Sequence, residues 1–153
     1  MKKNLSIEEK SSLWLATLFG VGYVPFMPGT AACVAALPIY MFVHNQLAYL
    51  IITAVTIILS YAICTKAEEI LEEKDSKKIV IDDFAGMLIT FAFVPYNIRY
   101  LVIGFFLFRM MDVLKVPPAN KIEKCHGAKG IVGDDVVAGI YAVVMLHIVR
   151  LFT

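Results

Sequence analysis

The sequence contains few cysteines and few charged residues. Its three cysteines, Cys33, Cys64 and Cys125, have no metal-ligand spacing and cannot all pair within one chain, so we expect reduced thiols rather than a disulfide framework. Only 18% of the 153 residues are charged, whereas 59% are hydrophobic and the mean hydropathy is +0.75. Soluble domains contain roughly 45–50% apolar residues, so this composition predicts a membrane protein.

The chain is short for its apolar content. Because each spanning helix needs about 20 residues, the sequence allows one domain, residues 1–153, and no separate soluble catalytic domain. We expect an all-α, polytopic membrane helix bundle with about four spanning helices and an N-terminal interfacial or re-entrant segment. Acidic residues interrupt residues 1–10, which therefore lack the arrangement of a signal peptide.

Turn residues and apolar runs divide the chain into segments. Ser6 and Glu9 have the spacing of a capping box, which predicts a short interfacial helix. Glycines and prolines in residues 19–30 predict irregular backbone before an apolar run resumes. The predicted spans cover residues 47–64, 79–95, 98–111 and the segment after Asp135, and a charged helical extension is predicted over residues 66–78.

The positions of the charged residues predict an orientation. Residues 1–10, 66–83 and 112–135 hold eleven of the fourteen Lys and Arg residues, and such an excess is typical of cytoplasmic segments. The same segments hold all thirteen Asp and Glu residues. We therefore expect every carboxylate to lie at the cytoplasmic face of the membrane.

Two pairs of adjacent aspartates each open an apolar segment. They occur in DDFAGM, residues 82–87, and DDVVAGI, residues 134–140, with small residues one turn further on. Helix capping is the structural alternative, since a carboxylate at a helix N-terminus gains about 0.3–1 kcal/mol. An uncompensated charge inside the membrane boundary costs at least about 2.5 kcal/mol, which favours a functional role. Small residues let helices approach closely in lipid, so we expect the two pairs to meet.

A third charged element lies between the two pairs. Arg109, Asp112 and Lys115 are three residues apart and lie near one helical face, where an ordinary Arg109–Asp112 ion pair is the alternative to a binding site. Carboxylates without a His or Cys cluster favour Mg²⁺ over zinc, and the two cations suit a phosphate. The predicted Mg²⁺ ligands are Asp82, Asp83, Asp134 and Asp135.

Four ordered motifs resemble the phosphatidylglycerophosphatase A family of bacterial membrane enzymes. The family's G-x-G step and P-G-T motif appear at residues 20–22 and 28–30, and its acidic motif appears at residues 82–87. Its F-R-x-x-D-x-x-K motif appears at residues 108–115, and its closing motif at residues 130–139. The match covers most of the chain, although Asp83 stands where the family usually has glutamate.

The resemblance implies a multi-pass enzyme of the bacterial inner membrane. Such an enzyme would remove the terminal phosphate of phosphatidylglycerophosphate at the cytoplasmic face, with Mg²⁺ held by the four aspartates. We expect Arg109 and Lys115 to stabilise the phosphoryl oxygens, and Thr30 to cap a helix whose N-terminus faces the phosphate. The remaining predicted substrate-binding residues are Asp112 and His126.

Several alternatives stay open at the level of sequence. Direct attack by water and an aspartyl-phosphate intermediate are both compatible with these residues. No cysteine is followed six positions later by arginine, which argues against a cysteine phosphatase, and the phosphatidyltransferase pattern is missing. A non-enzymatic membrane cation carrier that uses the aspartates as ion ligands is the runner-up. No nucleic-acid partner is expected.

Overall fold

The computed structural model describes residues 6–73 and 76–153, and the regular elements in these ranges are all helical. In chain order the helices are α1 (Ile7–Ala16), α2 (Pro28–Phe42), α3 (Gln46–Leu71), α4 (Ile81–Thr90), α5 (Ile98–Leu114), α6 (Ala119–Ile122) and α7 (Ala128–Leu151), and a short 3-10 turn covers Val21–Tyr23. The all-α prediction is thus confirmed. Parts of the predicted basic N-terminus (residues 1–5) and of the charged extension (residues 74–75) lie outside the described residues.

The first helix begins as its sequence predicts. The Ser6 hydroxyl accepts a hydrogen bond from the Glu9 N–H at 3.2 Å, and the Glu9 carboxylate accepts one from the Ser6 N–H at 2.7 Å. This reciprocal capping box satisfies two backbone donors that a helix N-terminus leaves unpaired.

Among the described residues, two helices are long and apolar enough to cross a membrane: α3 with 26 residues and α7 with 24. Only 22% of the most apolar part of α3 is buried within the protein, whereas the core helix of a soluble protein would be mostly covered. At 1.5 Å per residue, the 15 residues of α2 and the 17 of α5 extend about 22 and 25 Å, less than a hydrocarbon core of about 30 Å. The prediction of four spans is therefore not confirmed.

The two helices that carry the aspartate pairs differ from their predicted bounds. Helix α4 has only ten residues, so the segment 79–95 is not a spanning helix. Helix α7 begins at Ala128, and its first N–H donates to the hydroxyl of Thr65 on α3 at 3.0 Å. Asp134 and Asp135 consequently lie near the end of the second turn of α7, and the interpretation of this pair as helix caps is wrong.

The irregular segment that follows α4 is held by side chains of other helices. The Tyr40 hydroxyl donates to the Pro95 carbonyl at 2.7 Å and accepts from the Asn97 N–H at 3.2 Å. Nε2 of His147 lies 3.2 Å from the Ala92 carbonyl oxygen. Backbone groups outside regular helices need such partners when they are buried, and here the partners come from α2 and α7.

Alternating helix directions bring the charged residues to one end of the bundle. Gly29 at the start of α2 lies against the carboxylate of Asp83 at the start of α4. Arg109 near the end of α5 also reaches Asp83, and Lys115 just beyond α5 reaches Asp134 near the start of α7. The expectation that these carboxylates share one face of the protein is consistent with this arrangement.

Helices α4 and α7 cross at two glycines, as the small residues predict. A Cβ atom on Gly139 would lie 2.6 Å from the Gly86 carbonyl oxygen, and one on Gly86 would lie 2.8 Å from the Asp135 carbonyl oxygen. Neither backbone can move aside without shifting its helix. This close approach places the start of α4 beside Asp135.

We expect Gly139→Ala to lower thermal stability in detergent, since overpacking a tight contact typically costs about 1–3 kcal/mol. Gly133→Ala is the matched control on the same helix, because its Cβ would meet side-chain atoms rather than backbone, namely Ile122 Cγ2 at 2.5 Å and the Tyr61 hydroxyl at 3.6 Å. Thermal melting of the two variants would be compared. Equal melting temperatures would contradict the backbone contact between α4 and α7.

Candidate active site

A cavity of about 370 Å³ opens at the charged end of the bundle. It is formed by the start of α2, the α3–α4 connection, the start of α4, the end of α5 and the first turns of α7. Its charged lining residues are Asp82, Asp83, Asp112, Asp134 and Asp135 together with Lys77, Arg109 and Lys115. Five carboxylates against three cations leave an excess of two negative charges if all are ionised, which suits a divalent cation.

Three of the predicted metal ligands converge within this cavity. Asp82 and Asp83 are the second and third residues of α4, and Asp135 faces them from α7. One carboxylate oxygen of each lies within 4.8 Å of the other two. Asp82 and Asp135 are only 7% and 5% exposed, and Oδ1 of Asp82 has no hydrogen-bond partner among the described residues. The donor set and the unpaired oxygen fit a hard cation such as Mg²⁺.

Burial and mutual repulsion disfavour the charged forms of the two α4 carboxylates, which lie outside the two candidate spans. Burial and then the charge of Asp83 raise the pKa of Asp82 well above its usual range. Burial and then the charge of Asp112 raise the pKa of Asp83, although Arg109 opposes this shift. A bound divalent cation would favour both ionised forms, because it supplies the opposite charge that the cluster lacks.

Arg109 links the carboxylate cluster to α5. Its Nη1 atom donates to Asp83 at 2.8 Å and to Asp112 at 2.6 Å. The Arg109–Asp112 ion pair, which the spacing offered as the alternative to a binding site, is therefore present, but Arg109 also reaches the predicted metal site. Asp112, three residues further along the same face of α5, thus holds the arginine beside the cluster.

Lys115 binds the fourth aspartate, Asp134, which lies outside the group formed by the other three. The residue ends α5 with a positive φ of 46°, and its Nζ lies 2.9 Å from Asp134 and 2.6 Å from Glu123. Asp134 is not a member of the three-carboxylate group. Glu123 was not predicted as a site residue, because nothing in its local sequence indicates that α6 returns to Lys115.

Thr30 and His126 do not line the cavity. Thr30 is the third residue of α2, and the N-cap position belongs to Met27, so the predicted capping role of Thr30 is wrong. Its buried hydroxyl has no hydrogen-bond partner in the described part of the chain. His126 is an exposed residue just before α7, and its role in substrate binding stays a prediction.

The sequence matches the family model described as "Phosphatidylglycerophosphatase A" over residues 14–150. Phosphatidylglycerophosphatase A of Escherichia coli K12 is 33% identical, over 88% of this chain and 81% of that protein. The Haemophilus influenzae protein of the same name is also 33% identical, over 89% of this chain and 86% of its own length.

A Bacteroides thetaiotaomicron protein provisionally named as a phosphatidylinositol-3-phosphatase is likewise 33% identical, over 89% of this chain and 91% of its own length. No solved structure matches the chain significantly. All three relatives carry phosphatase names, so none supports the cation-carrier alternative. The extent of the family match and these identities establish that the chain is a phosphatase of the phosphatidylglycerophosphatase A family.

Proposed function

We propose that the protein is a Mg²⁺-dependent lipid phosphomonoesterase that converts phosphatidylglycerophosphate to phosphatidylglycerol in phospholipid biosynthesis. The observation that carries this proposal is the convergence of Asp82, Asp83 and Asp135 in one cavity beside Arg109. The names of two relatives specify this lipid phosphate as their substrate. A cation between the phosphate and the carboxylates of the cavity would offset their repulsion.

Asp82, Asp83 and Asp135 are the residues that would hold Mg²⁺. When bound, the ion supplies positive charge for the phosphate oxygens and lowers the pKa of a coordinated water. The excess negative charge of the cavity and the unpaired Asp82 oxygen support this assignment. For Asp134, the contact with Lys115 favours a role in positioning that lysine.

Arg109 and Lys115 are placed to bind the phosphoryl group. Both line the cavity and both are held by carboxylates, so their positive charges are fixed before substrate arrives. Fixed donors stabilise charge that develops in a transition state without reorganising. In the overall reaction the oxygen of water bonds to phosphorus, the bond from phosphorus to the headgroup oxygen breaks, and the headgroup alcohol takes a proton.

A multi-pass position in the bacterial inner membrane, with the cavity at the cytoplasmic face, completes the proposal. Apolar side chains are exposed along three helices: Leu47, Ile51 and Ile58 on α3, Val102 and Phe106 on α5, and Ile140 and Val144 on α7. An apolar surface shared by several helices favours contact with lipid over water. The basic segments near the cavity favour the cytoplasmic side.

Phosphate release by the purified protein in detergent tests this function. We expect release from phosphatidylglycerophosphate in the presence of Mg²⁺, a lower rate from phosphatidic acid, and loss of both activities with a chelator, since the ion would neutralise the substrate phosphate. Restoring Mg²⁺ should restore the rate. Full activity in chelator would contradict the metal requirement, and equal rates on both lipids would contradict the substrate.

A further inference from the structure

The turn between α3 and α4 presents a lysine to the cavity that the family motifs do not include. Lys77 lines the cavity, and its side chain is exposed. The other two lining cations are already engaged, Arg109 with Asp83 and Asp112, and Lys115 with Glu123 and Asp134. Among the described residues, Lys77 is therefore the lining cation that has no carboxylate bound to it.

The backbone around Lys77 is fixed from several sides. The Ile79 N–H donates to the Ser76 carbonyl at 2.9 Å, which closes the turn, and the Val80 N–H donates to the Ala16 carbonyl of α1 at 2.9 Å. Ser76 is 5% exposed, and its hydroxyl donates to Glu73 at 2.8 Å. A long cationic side chain thus extends from a well-anchored turn.

The cavity has two positions, at different depths, for the negatively charged groups of a substrate. The carboxylates of Asp82 and Asp135 are buried at its inner end, whereas Lys77 is exposed at its mouth. A phosphomonoester that reaches the inner carboxylates and their cation leaves the rest of its headgroup near the mouth. A lysine ammonium is a compact point charge that binds phosphate well.

We infer that Lys77 binds the phosphodiester of the lipid substrate while the terminal phosphomonoester occupies the inner end of the cavity. The inference rests on the proposed function and extends it to a substrate class: phospholipids whose headgroup carries a phosphomonoester beyond a phosphodiester. Phosphatidic acid, which has a monoester and no diester, lacks the group that Lys77 would bind. Lys77 would therefore contribute to the selection between these lipids.

Lys77→Ala tests the inference through the two lipids. We expect its KM for phosphatidylglycerophosphate to rise roughly tenfold, as for loss of one charged hydrogen bond, with kcat nearly unchanged because the contact is remote from the bond that breaks. Its KM for phosphatidic acid should not change. If phosphatidic acid is turned over too slowly for a KM, its inhibition constant can be measured with phosphatidylglycerophosphate as the substrate. This constant should be the same for the wild-type protein and for Lys77→Ala.

Two further variants control for charge and folding. Lys77→Arg should retain the wild-type KM, because it keeps the positive charge. Lys78→Ala removes the adjacent lysine, which pairs with Glu73 at 3.8 Å and does not line the cavity, and should leave both KM values unchanged. Two results would overturn this inference and leave the proposed function intact, provided that the wild-type protein hydrolyses phosphatidylglycerophosphate. One is an unchanged KM of Lys77→Ala for this lipid, and the other is an equal rise in KM for both lipids. Absence of wild-type turnover would overturn both.

Discussion

Asp135→Asn is expected to abolish phosphate release while the protein stays folded. The change keeps the size of the side chain but removes a charged ligand from the three-carboxylate group. Mutation of a residue that hydrogen-bonds to a metal ligand typically lowers metal affinity or activity by about 10–100-fold. Loss of a direct ligand should therefore reduce kcat by more than about a hundredfold. Because Asp135 lies within α7 rather than at its start, loss of a helix cap cannot produce such a result.

Thermal melting separates this result from misfolding. Asp135 is buried against Asp82 and Asp83, so asparagine removes one carboxyl group from a cluster whose ionised forms repel one another when no cation is bound. The melting temperature of Asp135→Asn in chelator should therefore equal or exceed that of the wild-type protein. Functional sites are commonly less stable than a sequence selected for stability alone would be. Asp112→Asn is the matched control, since it lines the same cavity outside the group of three and should retain more activity. Near-normal turnover by Asp135→Asn would contradict the assignment.

Arg109→Gln is expected to reduce both activity and stability. The arginine bridges Asp83 and Asp112, and its loss would leave two largely buried carboxylates facing each other. Breaking a buried ion pair by removing one partner costs about 3–5 kcal/mol. The fixed positive charge for the phosphoryl group is lost as well, which should lower kcat by about a hundredfold or more.

A double variant distinguishes the two effects of Arg109. Arg109→Gln combined with Asp112→Asn removes one of the repelling carboxylates. The double variant should therefore regain much of the melting temperature that Arg109→Gln alone loses. Activity should stay low, because the phosphoryl group still lacks its arginine. Recovery of activity together with stability would show that Arg109 acts only through folding, and no recovery of stability would contradict the ion-pair description.

Much of the site follows from local patterns. The small residues after each aspartate pair correctly predicted that α4 and α7 would meet near the carboxylates, as Gly86 and Gly139 show. The i, i+3 spacing indicated the Arg109–Asp112 ion pair as the alternative to a binding site, and the structure contains this pair within the site. These features depend on helix periodicity and on the positions of small residues, both of which can be read from the sequence.

Other features depend on contacts between distant segments. The start of α7 was missed because its capping partner, Thr65, belongs to α3. The sequence does not predict the early end of α4, because residues 84–95 are apolar apart from Thr90. The partners of the irregular backbone that follows are Tyr40 and His147, which belong to distant helices. The sequence predicts a helical extension over residues 66–78, which would include Lys77. The structure ends α3 at Leu71, and Glu72 caps the helix with a positive φ of 54°.

Direct binding of Mn²⁺ to the detergent-purified protein is the most immediate test of the metal site. Mn²⁺ shares the preference of Mg²⁺ for carboxylate oxygens, and its free concentration can be followed by electron paramagnetic resonance. We expect the wild-type protein to bind Mn²⁺ in competition with Mg²⁺, and Asp82→Asn and Asp135→Asn to lose this binding while Lys78→Ala retains it. Unchanged Mn²⁺ binding by both aspartate variants would contradict a cation held by Asp82, Asp83 and Asp135.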